Sequence, residues 1–361
     1  LTVTLFGEWW SYIKMDTTAP QQDIFTKLKA QAAQPNLPSD LAEKLQDELG
    51  RLAKIIDSSG YRMEFDRQLR YMDFVSTLPF EKSSQDILDL KRAAQILDKN
   101  HYGLTEVKSR ILEYLSILIL HSRQGQSLKA PILAFVGLVG SGKTSLAYSI
   151  AESLGRKLVR IPLGGLGSVK ELRGGSRANA EAEPGRLMKL INTAGVDNPV
   201  ILIDEIDRVA AESRSDVMGV LVELLDPEQN FAFTDNFVDY PFNLSKALFI
   251  ATANNTGNIA TAVMDRLEII EMPGYSDEEK AIIGKRYILP KALQGAGLSP
   301  QVLMIDETLW PQIVRPLGYD AGIRSLQRNI EGLVRKVARE VVEGNPGPYK
   351  ITGENIGQYL S

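Results

Sequence analysis

Gly137-Leu-Val-Gly-Ser-Gly142-Lys143-Thr144 stands between an apolar run, Ile132 to Val136, and a helix-patterned segment, Ser145 to Leu154. In a strand, turn and helix of this kind, glycines let successive backbone N–H groups curl around phosphate oxygens. Lys143 then reaches the outer phosphates and the Thr144 hydroxyl is placed to ligate Mg²⁺. Gly137, Gly140, Ser141, Gly142, Lys143, Thr144 and Ser145 are therefore the expected phosphate-binding residues. The competing reading is a glycine turn that fits the pattern by chance, and the flanking strand and helix weigh against it. The stretch implies a nucleoside triphosphate ligand.

Composition narrows the class. The chain has 361 residues, 44% of them hydrophobic and 24% charged, as expected of a folded protein with two or three domains. A net charge of −4 argues against nucleic acid as the main partner, although a local basic patch would still be compatible. There are no cysteines, which excludes disulfides and thiolate metal sites and fits a reducing compartment. With only His101 and His121, a histidine-built metal centre is not expected. No apolar run approaches the roughly 20 residues needed to cross a bilayer. The first residue is Leu1, so the chain reads as a piece of a longer product. Leu1 to Trp10 is apolar and aromatic without the features of a signal peptide. A Ser11-Tyr-Ile-Lys14 match to serine acyl-enzymes has no partner constellation and carries no weight.

Apolar residues at Leu41, Leu45, Leu49, Leu52 and Ile56 share one helical face, with Asp40 and Glu43 placed as a capping pair. Ser58-Ser-Gly60 breaks that helix. Further helical patterns follow from Met63 to Val75, Asp86 to Leu97 and Glu106 to His121. After Lys129 the pattern changes to short apolar runs separated by helices: Ile132 to Val136, Lys157 to Ile161, Val200 to Ile203, Ala247 to Thr252 and Glu268 to Met272. Such alternation predicts a parallel sheet covered on both faces, with ligands bound beyond the carboxyl ends of the strands. Beyond Pro273-Gly274, helices are expected at Asp277 to Ile288, Glu307 to Val314 and Gly322 to Val342, forming a smaller all-α domain.

Ile201-Leu-Ile203-Asp204-Glu205 is an apolar strand ending in two acids. Asp204 would belong to the Mg²⁺ shell, and Glu205 would orient and deprotonate the attacking water. Phosphoryl transfer also needs groups that sense and neutralise the γ-phosphate. Asn254, Arg266 and Arg324 are candidates, and each by itself reads equally as a surface polar residue.

These runs together resemble the ATPase module of the Lon protease family, a branch of the AAA+ ATPases. They are Gly137 to Thr144, Leu202 to Asp207, Leu224-Leu-Asp-Pro-Glu-Gln-Asn230, Phe249-Ile-Ala-Thr-Ala-Asn254, Met264-Asp-Arg266 and Gly322-Ile-Arg-Ser-Leu-Gln-Arg328. The resemblance extends to Leu97-Asp-Lys-Asn-His101-Tyr102-Gly103, to Tyr71 to Pro79 and to Asn355 to Leu360, and so covers roughly Asp40 to the C-terminus. It implies an α/β P-loop AAA+ core, a parallel sheet flanked by helices, preceded by an N-terminal helical region and followed by an all-α lid. The implied divisions are 1–98, 99–274 and 275–361. Lys143 and Thr144 would hold phosphate and Mg²⁺, and Asp204 and Glu205 would be the metal and water pair. The resemblance further implies Asn254 as first sensor, Arg266 as arginine finger and Arg324 as second sensor. His101, Tyr102 and Gly103 sit where the family packs adenine, with a ligand-free helix-start contact as the alternative. The implied assembly is a homo-oligomeric, hexameric ring that hydrolyses ATP and threads unfolded or damaged protein, in a bacterial cytoplasm or alternatively a mitochondrial matrix.

Two departures qualify that expectation. The chain stops at Ser361, about where the family's Ser-Lys peptidase would begin, so no peptidase is expected in it. In the stretch Arg173 to Gly185 the family's gripping aromatic and aliphatic residues are replaced by Asn179 and Ala180, which offer little contact area to a threaded chain. The second pore loop, Val209 to Asp216, also lacks an aromatic residue. An ATP-gated ring that pulls nothing is therefore a second expectation, and a DNA-remodelling ATPase a third. Arg173 and Arg177 favour the third, and the acidic net charge opposes it.

Overall fold

The computed structural model of the chain describes residues 21–35, 37–55, 62–125, 131–179, 181–315, 322–345 and 347–360. Leu1 to Trp10, the Ser11 to Lys14 match, Ile56, the Ser58 to Gly60 break and Ala180 lie outside the described residues. The strands are β1 (Ile132–Gly137), β2 (Leu158–Pro162), β3 (Val200–Asp204), β4 (Phe233–Thr234), β5 (Pro241–Phe242), β6 (Leu248–Ala253), β7 (Leu267–Met272), β8 (Leu303–Ile305) and β9 (Tyr349–Ile351). The chain divides into two compact units. One comprises the described residues up to Ser83 with Lys170–Asp197 and Phe231–Asn243, and the other comprises Ser84–Val169, Asn198–Asn230 and the described residues from Leu244 onward.

The second unit carries a five-stranded sheet in the order β2-β3-β6-β1-β7. All four pairings are parallel. Every residue of β3 and β6 is buried, which explains their unbroken apolar sequences: central parallel strands are covered on both faces. Leu133 and Phe135 of β1 pack with Leu146, Ala147 and Ile150 of the helix Lys143–Leu154 in one hydrophobic cluster that also takes in Leu202 and Ile250. The helix Leu90–Asn100 begins later than the periodicity predicts, because Asp89 caps it by accepting from the Lys91 and Arg92 amides. Gly137 ends β1 where only glycine fits, since a Cβ there would stand 2.6 Å from the Met272 carbonyl oxygen of β7.

Beyond β7 the chain is helical, as expected, and gains one feature the sequence pattern does not reveal. β8 and β9 pair in parallel across the helix Arg324–Val342 that separates them in sequence. The predicted helix from Asp277 to Ile288 starts with a Ser276–Glu279 capping box and passes into a π turn at Gly284–Ile288. There the Trp310 ring approaches so closely that a Cβ on Gly284 would lie 2.7 Å from it. Trp310, Ile313, Leu326, Ile330, Leu333, Val334 and Ile351 form the core of this region.

In the first unit the helix Ser39–Ile55 buries Leu41, Leu45, Leu49 and Leu52, the predicted apolar face. Asp40 lies inside the first turn, so it is not the N-cap; its carboxylate accepts the Tyr240 hydroxyl at 2.7 Å. Tyr71, on the helix Arg62–Thr77, meets Phe237 edge-on at 5.9 Å. The short hairpin of β4 and β5 brings Phe242 against Phe80 at 5.2 Å.

Candidate nucleotide site

The strand order sets the site. β6 separates β1 from β3, so the turns that follow these three strands open side by side at one end of the sheet. After β1 the chain passes through Gly140 and Gly142 at φ values of 82° and 95°, conformations that suit glycine, and enters the helix Lys143–Leu154 at the Gly142 N-cap. The first turn of that helix leaves backbone N–H groups without intrahelical partners. Lys143 folds back over the loop, donating to the Gly137 and Leu138 carbonyl oxygens at 2.6 and 2.9 Å and to Asn254 Oδ1 at 3.3 Å. Burial pulls its ammonium below the ordinary lysine range; Asp207, Asp204 and Glu205 oppose that shift and Arg324 adds to it. Thr144 is half-buried and Ser145 exposed, its hydroxyl donating to the Gly142 carbonyl oxygen at 2.8 Å. Ser141 is buried, and its carbonyl oxygen accepts the Tyr275 hydroxyl at 3.1 Å.

Asp204 ends β3 in a buried position with both carboxylate oxygens occupied. Arg160 of β2 donates Nε to Oδ2 at 2.7 Å, with Nη2 2.5 Å from the same oxygen, and Thr252 of β6 donates to Oδ1. Glu205 follows in the left-handed region at φ 58°, its amide donating to Thr252 Oγ1 at 3.0 Å. Asn254, just past β6, donates to Asp207 Oδ2 at 3.5 Å, and Asp207 is itself buried. Ile323 donates its amide to the Gly140 carbonyl oxygen at 3.1 Å, which docks Arg324 at the start of its helix onto the phosphate loop. Arg266 is turned toward Asp226, with Nη2 at 2.8 Å from Oδ2.

Residues 133–275 match the AAA family, described as ATPase family associated with various cellular activities. Residues 294–349 match the Lon protease AAA+ ATPase lid domain. The chain carries the AAA+ ATPase and lid modules of the Lon protease family. It is 42% identical over 373 residues to a Lon protease of Lawsonia intracellularis, covering 96% of this chain and 44% of that one. It is 41% identical to Lon protease 2 of Herpetosiphon aurantiacus, and 39% to a Lon protease of Geobacter metallireducens, each again over 96% of this chain. Those matches cover 42% and 41% of the two relatives, so the chain spans less than half the length of the curated relatives it matches. What it carries is the ATPase and lid portion of a Lon-type protein, an ATP-hydrolysing AAA+ module.

Around this Lon-type phosphate loop, His101 is buried and its Nε2 lies 2.9 Å from Ser149 Oγ, on the helix that follows the loop. Burial, helped by Lys108, whose ammonium donates to the His101 carbonyl oxygen, lowers the imidazole to about 4, so the ring is neutral at pH 7. Tyr102 packs against the same core, and Gly103 at φ 62° starts the turn into the helix Thr105–Arg123.

Sequence reasoning missed Arg160, Thr252, Asp207 and Asp226. The one available signal was a polar residue breaking an apolar run, as Arg160 does in Leu-Val-Arg-Ile-Pro and Thr252 in Leu-Phe-Ile-Ala-Thr-Ala.

In the other unit, Asn179 is exposed in a turn closed by its amide to the Ser176 carbonyl oxygen at 3.0 Å. The loop around it is tied down. Arg177 lies 4.0 Å over the Tyr71 ring and pairs with Glu48 at 3.3 Å and Asp239 at 3.4 Å. Asp235 is buried and accepts the Gly185, Phe237 and Val238 amides, while burial raises its carboxyl above the usual range.

Proposed function

We propose that the chain binds ATP with Mg²⁺ and hydrolyses it at sites shared between neighbouring subunits of a homo-oligomeric, hexameric ring. The observation that carries this reading is the 3.3 Å approach of Lys143 Nζ to Asn254 Oδ1, two groups 111 residues apart. A phosphate-binding cation and a polar sensor converge at the end of the sheet where Asp204 and Glu205 also stand. Glu205 orients and deprotonates the attacking water, and Asn254 positions that water against the γ-phosphate. Arg324 reads the nucleotide from the lid. Arg266 serves the neighbour's ATP, and His101, Tyr102 and Gly103 wall the adenine. Residues 1–98, 99–274 and 275–361 are read as recognition region, nucleotide-binding domain and lid.

The donors suit Mg²⁺: the Thr144 hydroxyl and the Asp204 carboxylate are hard oxygen ligands. Thr144 and Asp204 are the residues that would hold the ion beside the triphosphate. When bound, Mg²⁺ supplies positive charge against the phosphates.

The work driven by ATP is proposed to be the unfolding and threading of protein, in a bacterial cytoplasm. Among the described residues no helix is long and apolar enough to cross a membrane. A second reading, an ATP-gated ring without efficient threading, is favoured by the exposed, non-aromatic Asn179 in a loop held by Arg177. Phosphate release and displacement of a fluorescent-tagged unfolded protein separate the two. Glu205→Gln is expected to keep nucleotide binding and stop phosphate release, and normal turnover in that variant ends the hydrolysis reading. Threading that improves in Asn179→Tyr/Ala180→Val supports translocation. Turnover with no displacement in either protein leaves the gated ring.

A further inference from the structure

We infer that the Thr252 hydroxyl is a positioning group for ATP hydrolysis, tying the Asp204 carboxylate to the Glu205 backbone and so setting the direction in which Glu205 faces the nucleotide. The inference rests on the roles proposed above for those two acids.

The strand register delivers Thr252 to this point. β6 lies between β1 and β3; Ala251 pairs with Ile203 and Thr252 with Phe135. The next residue of β3 after Ile203 is Asp204, so Thr252 lies beside the junction of the two acids. It is 1% exposed. A hydroxyl buried that deeply is costly unless it is bonded, and this one uses both of its capacities. It accepts the Glu205 N–H at 3.0 Å and donates to Asp204 Oδ1. Because the amide occupies a lone pair on one side, the single hydroxyl proton is directed at the carboxylate. Arg160 holds the opposite oxygen of that carboxylate, which gives Thr252 a fixed acceptor.

Glu205 needs such support. Its φ of 58° is disfavoured for a residue with a Cβ, and conformations of this kind persist only where the surroundings over-determine them. Two hydrogen bonds hold its peptide groups: its amide to Thr252, and its carbonyl oxygen accepting the Arg208 amide at 2.9 Å. Its side chain is also confined, since a Cβ on Gly164 would lie 2.6 Å from Glu205 Oε2. Removing the Thr252 hydroxyl frees one end of this arrangement and leaves Asp204 Oδ1 without its donor. Neither the phosphate loop nor Lys143 is touched, so binding and chemistry are expected to separate.

The experiment compares steady-state phosphate release and binding of a fluorescent ATP analogue in the 361-residue chain, Thr252→Val, Thr252→Ser and Glu205→Gln. Valine keeps the shape and loses both hydrogen bonds, whereas serine keeps them. Thr252→Val is expected to lower kcat tenfold or more, with KM for ATP and analogue affinity within twofold of the parent, and Thr252→Ser to stay within threefold of parental kcat. Parental turnover in Thr252→Val overturns the inference, as does a Thr252→Ser protein as slow as Thr252→Val. If Glu205→Gln turns over normally, the reading of the acids fails regardless of Thr252. If Glu205→Gln stalls and Thr252→Val does not, only the positioning role fails. Should Thr252→Val lose its far-UV circular dichroism, Thr252→Ala takes its place, scored against Thr252→Ser by the same criteria.

Discussion

Arg266 donates from Nη2 to Asp226 Oδ2 at 2.8 Å within its own chain, while its Nη1 donates to the Ala262 carbonyl oxygen at 2.6 Å. Arg266, followed by the Glu228 amide, holds the Asp226 carboxyl below the usual carboxylate range. The guanidinium thus bridges Asp226 of the Leu-Asp-Pro-Glu-Gln-Asn run and the Ala262 carbonyl oxygen. If it serves a neighbouring site, Arg266→Ala should lose at least about 1,000-fold in ATP turnover, the lower end of the range for arginine fingers, and Lys143→Ala should also be inactive because its own phosphate loop is broken. Mixing the two should then restore a measurable fraction, since some interfaces would combine an intact phosphate loop with an intact finger. Phosphate release from the mixture, compared with each variant alone, is the measurement; no recovery would place Arg266 in its own subunit's site.

His101 gives folding a pH dependence of defined sign. Its folded-state value of about 4 lies below the ordinary 6.5, so the unfolded chain binds the proton more readily. Its contribution is complete above about pH 6.5 and is lost as pH falls through 6.5 toward 4, by up to about 3 kcal/mol. Urea midpoints at pH 7.5 and 5.0 should show this decline, and the slope should flatten in His101→Gln. Equal slopes in parent and variant would remove His101 as the cause.

Gly137→Ala should damage both the sheet and the site. The added methyl would meet Met272 at its carbonyl oxygen, 2.6 Å away, and at its Cβ, 2.8 Å away, so β1 and β7 must shift apart. A loss of roughly 1–3 kcal/mol, the usual cost of overpacking, is expected in chemical denaturation. Affinity for an ATP analogue should fall with it, because the same residue begins the phosphate loop. Unchanged midpoint and affinity would mean that the strands accommodate the methyl.

Arg177 should govern the mobility of the loop that carries Asn179. Its stacking on Tyr71 and its pairs with Glu48 and Asp239 are partly shielded from solvent, and the stacking alone is worth about 1 kcal/mol. Arg177→Ala is expected to speed hydrogen exchange or proteolysis across 174–184 by about fivefold, which 1 kcal/mol implies. Exchange at the parental rate would show that Asp235 anchors the loop without help.

Much of the sheet was legible because its strands are buried on both faces and read as unbroken apolar runs. The five predicted strands match β1, β2, β3, β6 and β7 to within a residue at each end. The positions of the glycine loop from Gly137 to Thr144 and of the acids Asp204 and Glu205 at strand ends were legible for a related reason: each motif is local, and its place follows from residue type and spacing. Less legible were the start of the helix at Leu90, which a single Asp89 cap decides, and the pairing of β8 with β9, whose three-residue strands are too short to show a period.

By itself the sequence determined that this chain carries a glycine-rich loop between a strand and a helix, an acidic strand end and the Lon-type runs around them, because those features are written in adjacent residues. Only the tertiary structure decided which side chains steady them. Arg160, Thr252 and Asp226 acquire meaning when β2, β3 and β6 lie side by side and when the chain near Asp226 returns to Arg266. The physical reason is that a buried carboxylate or hydroxyl must find partners wherever packing places them. Those partners come from segments distant in sequence, which no local pattern records.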